Sequence, residues 1–148
     1  MKLQQATRYA IWAVIELASR PTDQVRAQEL AQIYRISQNH LVRVLQTLTR
    51  ANIVSSVRGP GGGFTFCGNA KRLTLFDIIS LFETGWPGEV SNGRPPGSAL
   101  GAELSRVLNE VDRITSATLR SVTVQTIINN AERASRMRDL TERLPKAS

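Results

Sequence analysis

The chain has 148 residues, 41% of them hydrophobic, and a formal net charge of +7, enough for one domain with an appended oligomerisation element. No run of eighteen apolar residues is present to span a membrane, and Met1-Lys2-Leu3-Gln4-Gln5 carries no apolar leader, so a soluble, cytoplasmic protein is expected. One cysteine, Cys67, and one histidine, His40, exclude an internal disulfide and cannot alone build a zinc or iron–sulfur site.

The charge is divided unevenly. Residues 1–72 carry ten Lys and Arg against three Asp and Glu, whereas residues 73–148 carry nine of each. The excess sits wholly in the first half, which is the footprint of a polyanion binder. A basic surface kept only for solubility would spread the charge more evenly.

A first helix is predicted from Gln5 or Ala6 to Ser19, with Tyr9, Ala10, Ala13, Val14 and Leu17 at helical spacing and Pro21 closing it. Ala27 to Tyr34 reads as a second, short helix packing on Leu30, Ala31 and Ile33. Its cap position holds Arg26, which cannot accept from the first-turn N–H groups. A third helix opens at Ser37, expected as its N-cap. Leu41, Val44, Leu45 and Leu48 make an apolar stripe, and the opposite side shows Gln38, Asn39, His40, Arg43, Gln46 and Thr47. Those side chains suit base edges and phosphates, and the N-terminal turns of a recognition helix are the ones that enter a major groove.

Two β-prone runs follow, Ile53 to Val57 and Phe64 to Cys67. They enclose Arg58-Gly59-Pro60-Gly61-Gly62-Gly63. Glycine permits positive φ and close backbone approach, and proline stiffens the turn. A rigid loop with an arginine at its base, placed after a helix-turn-helix pattern, is how a winged helix reaches a DNA groove.

Thr74-Leu75-Phe76-Asp77 reads as a capping box that opens a helix burying Leu75, Ile78, Ile79 and Phe82. Residues 84–97 hold four Gly and three Pro and are expected to form a flexible loop. From Ser98 to about Leu119, the residues Leu100, Leu104, Val107, Val111, Ile114 and Thr118 step as a coiled-coil seam, widened by Leu108 and Leu119. A seam this long on a small domain points to a dimer contact through Leu104, Val107, Leu108, Val111 and Ile114. A last short helix is expected from Thr123 to about Ala131, with a charged, frayed tail beyond it.

The expected fold is therefore mostly α with a small β-hairpin, a winged helix-turn-helix domain plus a long dimerisation helix. Its parts are a DNA-binding unit over 1–83, a loop over 84–97, dimerisation helices over 98–131 and a tail over 132–148.

Arg8-Tyr9-Ala10, the run from Ile36 to Leu45 and above all the wing from Val57 to Phe64 resemble the Rrf-type family of small bacterial winged-helix regulators. That family includes the iron–sulfur-cluster assembly regulator, the nitric-oxide-sensing repressor and the cysteine-metabolism regulator. Ser37-Gln38-Asn39-His40-Leu41 looks most like the nitric-oxide-sensing branch. Cluster-sensing members carry three cysteines between the fourth helix and the dimerisation helix. Here Glu83 to Ala102 contains none, and Arg8 stands where the nitric-oxide branch can use an acidic ligand. Without thiolates no stable cluster is expected, so no cofactor or metal site is assigned.

A homodimeric regulator, a repressor in preference to an activator, is expected on a pseudo-palindromic stretch of double-stranded DNA, with no membrane partner and no catalytic residue. Gln38 and Asn39 suit adenine edges, and Arg43 suits guanine or phosphate. Arg58 would follow the minor groove. Ser37, Arg8, Arg50 and the wing backbone at Gly59, Pro60, Gly61 and Gly62 complete the candidate contacts. His40 is open between a phosphate contact and local packing, and Cys67 between a structural and a redox role. The effector is open too, with Trp86 either a ligand contact or a surface residue. A protein-interaction module on the same basic face is the alternative. An enzyme is disfavoured, because the glycine-rich loop lacks the Gly-Lys-Ser/Thr ending of a phosphate-binding loop.

Overall fold

A computed structural model describes residues 2–85 and 97–143. Helix α1 (Gln5–Ser19) turns Thr7, Ala10, Ala13, Val14 and Leu17 inward. Its first turn has no cap from Gln4. The Glu83 carboxylate serves instead, accepting from the Gln4 backbone N–H at 2.8 Å and from the Thr7 hydroxyl at 2.5 Å. A carboxylate there also suits the positive end of the helix dipole.

Helix α2 (Ala27–Tyr34) starts at Arg26 without a side-chain cap. It ends with Arg35 in the left-handed region (φ 52°), while the Ile36 N–H reaches the Ala31 carbonyl at 2.9 Å. Helix α3 (Gln38–Arg50) ends the same way at Asn52 (φ 57°), with the Ile53 N–H on the Leu48 carbonyl. These are Schellman closures, and both deliver the chain into the next element at a fixed angle. Ser37 occupies the N-cap position of α3, but its hydroxyl makes no capping bond.

Strands β1 (Val54–Val57) and β2 (Gly63–Phe66) pair antiparallel, Val54 opposite Phe66 and Val57 opposite Gly63. Ile53 and Cys67, expected inside the strands, flank them instead. The hairpin is anchored to the α1–α2 connection, because Val25 and Phe64 exchange backbone hydrogen bonds of 3.0 and 2.8 Å.

Helix α4 (Leu75–Ser80) begins with the expected capping box. It buries Ile78 and Ile79, while Leu75 and Phe82 are only half-buried. The expected loop over 84–97, Trp86 included, lies almost wholly at residues 86–96, outside the described residues.

Helix α5 (Ala99–Ser121) is capped by Ser98, whose hydroxyl accepts from the Gly101 N–H. Helix α6 (Val124–Arg143) is longer than expected and does not stop near Ala131. Beyond that point its residues are good helix formers, and Glu132 faces Arg136 one turn on at 3.8 Å. Residues 144–148 lie outside the described residues.

Between α5 and α6 the backbone is fastened to the segment leading into α4. Leu75 N–H donates to the Val122 carbonyl, Val124 N–H to Leu73 and Gln125 N–H to Ala70, each at 2.9 Å. Arg120 lies 3.5 Å over the Phe76 ring. The core is continuous across this joint: Leu17, Leu30, Leu41, Leu45 and Leu48 pack in one cluster with Val124 and Ile128 of α6. Leu119, expected on the α5 seam, is buried inside its own chain with Ser116. No helix among the described residues is long and apolar enough to cross a membrane.

Candidate nucleic-acid interface

Helix α3 buries Leu41, Val44, Leu45 and Leu48. At about 100° per residue, the side opposite those four is occupied by Asn39, Arg43, Gln46 and Arg50, one continuous polar stripe. All four are exposed. Gln46, whose place between Arg43 and Arg50 follows from the 4-3-4 spacing, belongs with the expected residues. Arg50 sits at the far end, about 18 Å along the helix axis from Gln38.

At the near end, Ser37, Asn39, His40 and Arg43 line an open polar groove of about 330 Å³. Gln38 is exposed beside it. His40 is half-buried, with its ring edge-on to Tyr9 at 5.2 Å and 75°, so the packing role considered for it is real. Its lining of the groove leaves it within reach of a ligand there.

Arg8, also exposed, projects from the start of α1. Its guanidinium lies 5.4 Å from the Trp12 ring centroid. Trp12 is tilted against Tyr9 at 5.9 Å and stacked on Tyr34 at 5.3 Å and 11°. Arg8 and His40 are thus linked through the Tyr9–Trp12 pair, a contact that the helical spacing of α1 alone did not disclose. Thr7 below them holds the Glu83 carboxyl below its ordinary pKa by donating its hydroxyl.

The wing tip spans residues 58–62 between the strand ends. Gly59 has φ 103°, a conformation strained for any L side chain. The Gly62 N–H closes the turn on the Gly59 carbonyl at 2.9 Å. A Cβ on Gly62 would collide with the Val57 carbonyl and come within 2.9 Å of the Gly59 carbonyl oxygen. Arg58, Gly59, Pro60 and Gly61 are exposed and Gly62 half-buried. The stiffness inferred from composition therefore has a backbone cause, and Arg58 projects from a loop fixed at both ends.

On α5 the seam residues Leu104, Val107, Leu108, Val111 and Ile114 stand 44–59% exposed, and Leu100 85%. Among the described residues, nothing in the same chain covers them further.

Residues 3–130 match the Rrf2 family, described as an iron-dependent transcriptional regulator. The HTH-type transcriptional regulator BadM of Rhodopseudomonas palustris is 45% identical over 129 residues, 86% of this chain and 81% of that protein. The global cysteine regulator CymR of B. subtilis superposes with a TM-score of 0.74 over 88% of this chain and 98% of its own, at 23% identity. IscR of T. potens gives 0.69 over 90% of each chain, at 22% identity. The last two are likenesses of fold, and they share the winged-helix architecture.

The iron of the family description has no fitting donor set in this chain. Cys67 is exposed beyond β2, its thiol donating to the Asn52 carbonyl at 3.3 Å, while His40 lies in the first turn of α3 against Tyr9. No three His, Cys, Asp or Glu side chains converge among the described residues. Residues 86–96 add only Glu89 to the available donors, too few for a cluster.

Proposed function

The chain belongs to the Rrf2 family of transcriptional regulators, and on that premise we propose that it is a homodimeric repressor of a pseudo-palindromic operator. The supporting observation is the exposed stripe Asn39-Arg43-Gln46-Arg50, which lies opposite the buried face of a helix in a winged helix-turn-helix. Asn39 and Gln38 read adenine edges, Arg43 reads guanine or phosphate, and Arg58 lies in the flanking minor groove. Arg8, Arg50 and the wing backbone meet phosphates. Residues 1–83 do the reading, with α6 closing their core, and the exposed face of α5 joins two copies so that protein and operator share a two-fold axis. Such a partner places the protein in the cytoplasm. The signal is carried by something other than an iron–sulfur cluster.

The test is selection of sheared genomic DNA by the purified protein at near-physiological salt. A shared pseudo-palindrome among recovered fragments is the expected result. Fragments with nothing in common would remove the operator-reading assignment and turn the basic face toward a protein partner.

A further inference from the structure

Two arginines stand at the two ends of the N-terminal helix in different situations. Arg20, in the residue that closes α1, is neutralised twice, by Glu16 at 3.1 Å and Glu29 at 2.9 Å. Arg8, near its start, makes no ion pair among the described residues; its partner is an aromatic ring, Trp12, 5.4 Å away. That ring is not simply filling the core. Trp12 is half-buried at the core's edge and is itself backed by the parallel ring of Tyr34.

The backing is fixed in turn. The Tyr34 hydroxyl donates to a Glu16 carboxylate oxygen at 3.1 Å, and Glu16 is held by Arg20. Burial, then the Glu16 charge, push the Tyr34 hydroxyl up to a pKa of about 12, so it stays protonated and keeps donating. A guanidinium held over an aromatic face loses rotamer freedom before any ligand arrives, yet keeps its charge and its in-plane N–H donors, the geometry that suits a phosphate.

We infer that Trp12, backed by Tyr34, is a positioning residue that holds Arg8 ready for a DNA phosphate. This deepens the DNA-binding reading and rests on it. The ordering cost of a long side chain is met in the free protein rather than at binding. Trp12 itself touches no DNA.

Because a phosphate contact is independent of base sequence, the probe is a fluorescein-labelled 30-base-pair mixed-sequence duplex read by anisotropy over a salt series. Arg8→Ala is expected to weaken binding and lower the salt slope by about one. Trp12→Met fills the same space without a ring and is expected to weaken binding about fivefold. In the Arg8→Ala background it should weaken binding no further. Trp12→Phe, which keeps a π face, should restore most of the loss. Where Trp12→Met does not fold, Tyr34→Leu, which removes the backing ring together with its hydroxyl contact to Glu16, is read in the same cycle.

Equal losses from Trp12→Met in both backgrounds would make Trp12 a packing residue and overturn the inference. So would full binding by Arg8→Ala, with the DNA-binding reading intact. Failure of the unaltered protein to bind the duplex at all would instead bring down that reading and the inference with it.

Discussion

Helices α3 and α5 carry the same kind of signal and meet opposite fates. Each shows apolar residues at steps of three and four. In α3 the stripe is 0–2% exposed, whereas in α5 Leu100 to Ile114 stand 44–85% exposed. Periodicity therefore says that a face will be covered, but not by what. Only the packed chain shows that α3 spends its apolar face on its own core and leaves its polar face exposed, while among the described residues the apolar face of α5 stays exposed. An exposed apolar face of this length is the signature of an association surface.

The comparison breaks most visibly at Leu45. Leu45→Ala opens a cavity among Leu41, Leu48 and their neighbours and is expected to lower unfolding free energy by about 2–5 kcal/mol, measured by urea denaturation. A loss below about 1 kcal/mol would mean that the α3 stripe is not core. Ile114→Lys is the counterpart on α5. It should leave the fold of each subunit unchanged and weaken self-association by at least about a hundredfold, roughly 2.7 kcal/mol, seen as a shift to monomer in sedimentation. A variant that stays dimeric would remove α5 from the interface.

On the polar side, Arg58→Ala should weaken DNA binding by about 1–3 kcal/mol and flatten its salt dependence, with no change in self-association. Unchanged affinity and slope would take the wing out of the interface. A smaller effect is expected at the foot of α1. The Glu83 carboxylate is stabilised in the folded state by the Thr7 hydroxyl, so its contribution is present above the ordinary carboxylate pKa and fades as pH falls through the lowered folded value. Thr7→Val should make the acid limb of thermal stability, scanned between about pH 3 and pH 7, shallower. An identical limb would assign acid sensitivity to other carboxylates. Finally, EDTA treatment should leave DNA affinity unaltered; a loss restored by iron would assign a metal site to the protein.

Much of this architecture is legible from local pattern. The three helices up to Arg50, the capping box at Thr74 and the glycine wing each follow from short-range chemistry: spacing, a side-chain acceptor, a position where only glycine fits. What escapes is set by contacts between distant residues. Leu119 fits the α5 seam by spacing, yet the packed chain turns it inward. Nothing in the run from Val124 to Ile128 says that it will close the core beneath α1. Trp12 and Tyr34 are separated by 22 residues, and their stacking exists only once the end of α2 is brought against α1. Ser37 shows the reverse error, a good cap residue in a cap position whose hydroxyl caps nothing. Of the candidate interface, the α3 residues and Arg58 could be named from sequence. The ring that holds Arg8 could not.

The fastening of Leu73 and Leu75 to Val122 and Val124 also limits how such proteins can be recombined. A cassette cut after α4 would carry the whole reading surface but lose Val124 and Ile128 from the middle of its core. A cassette that replaced α5 would have to bring an α6 shaped to this particular α1. On the proposed function, the piece that would read DNA and the piece that would join two copies share one core, so substitution rather than shuffling would be the route open to divergence.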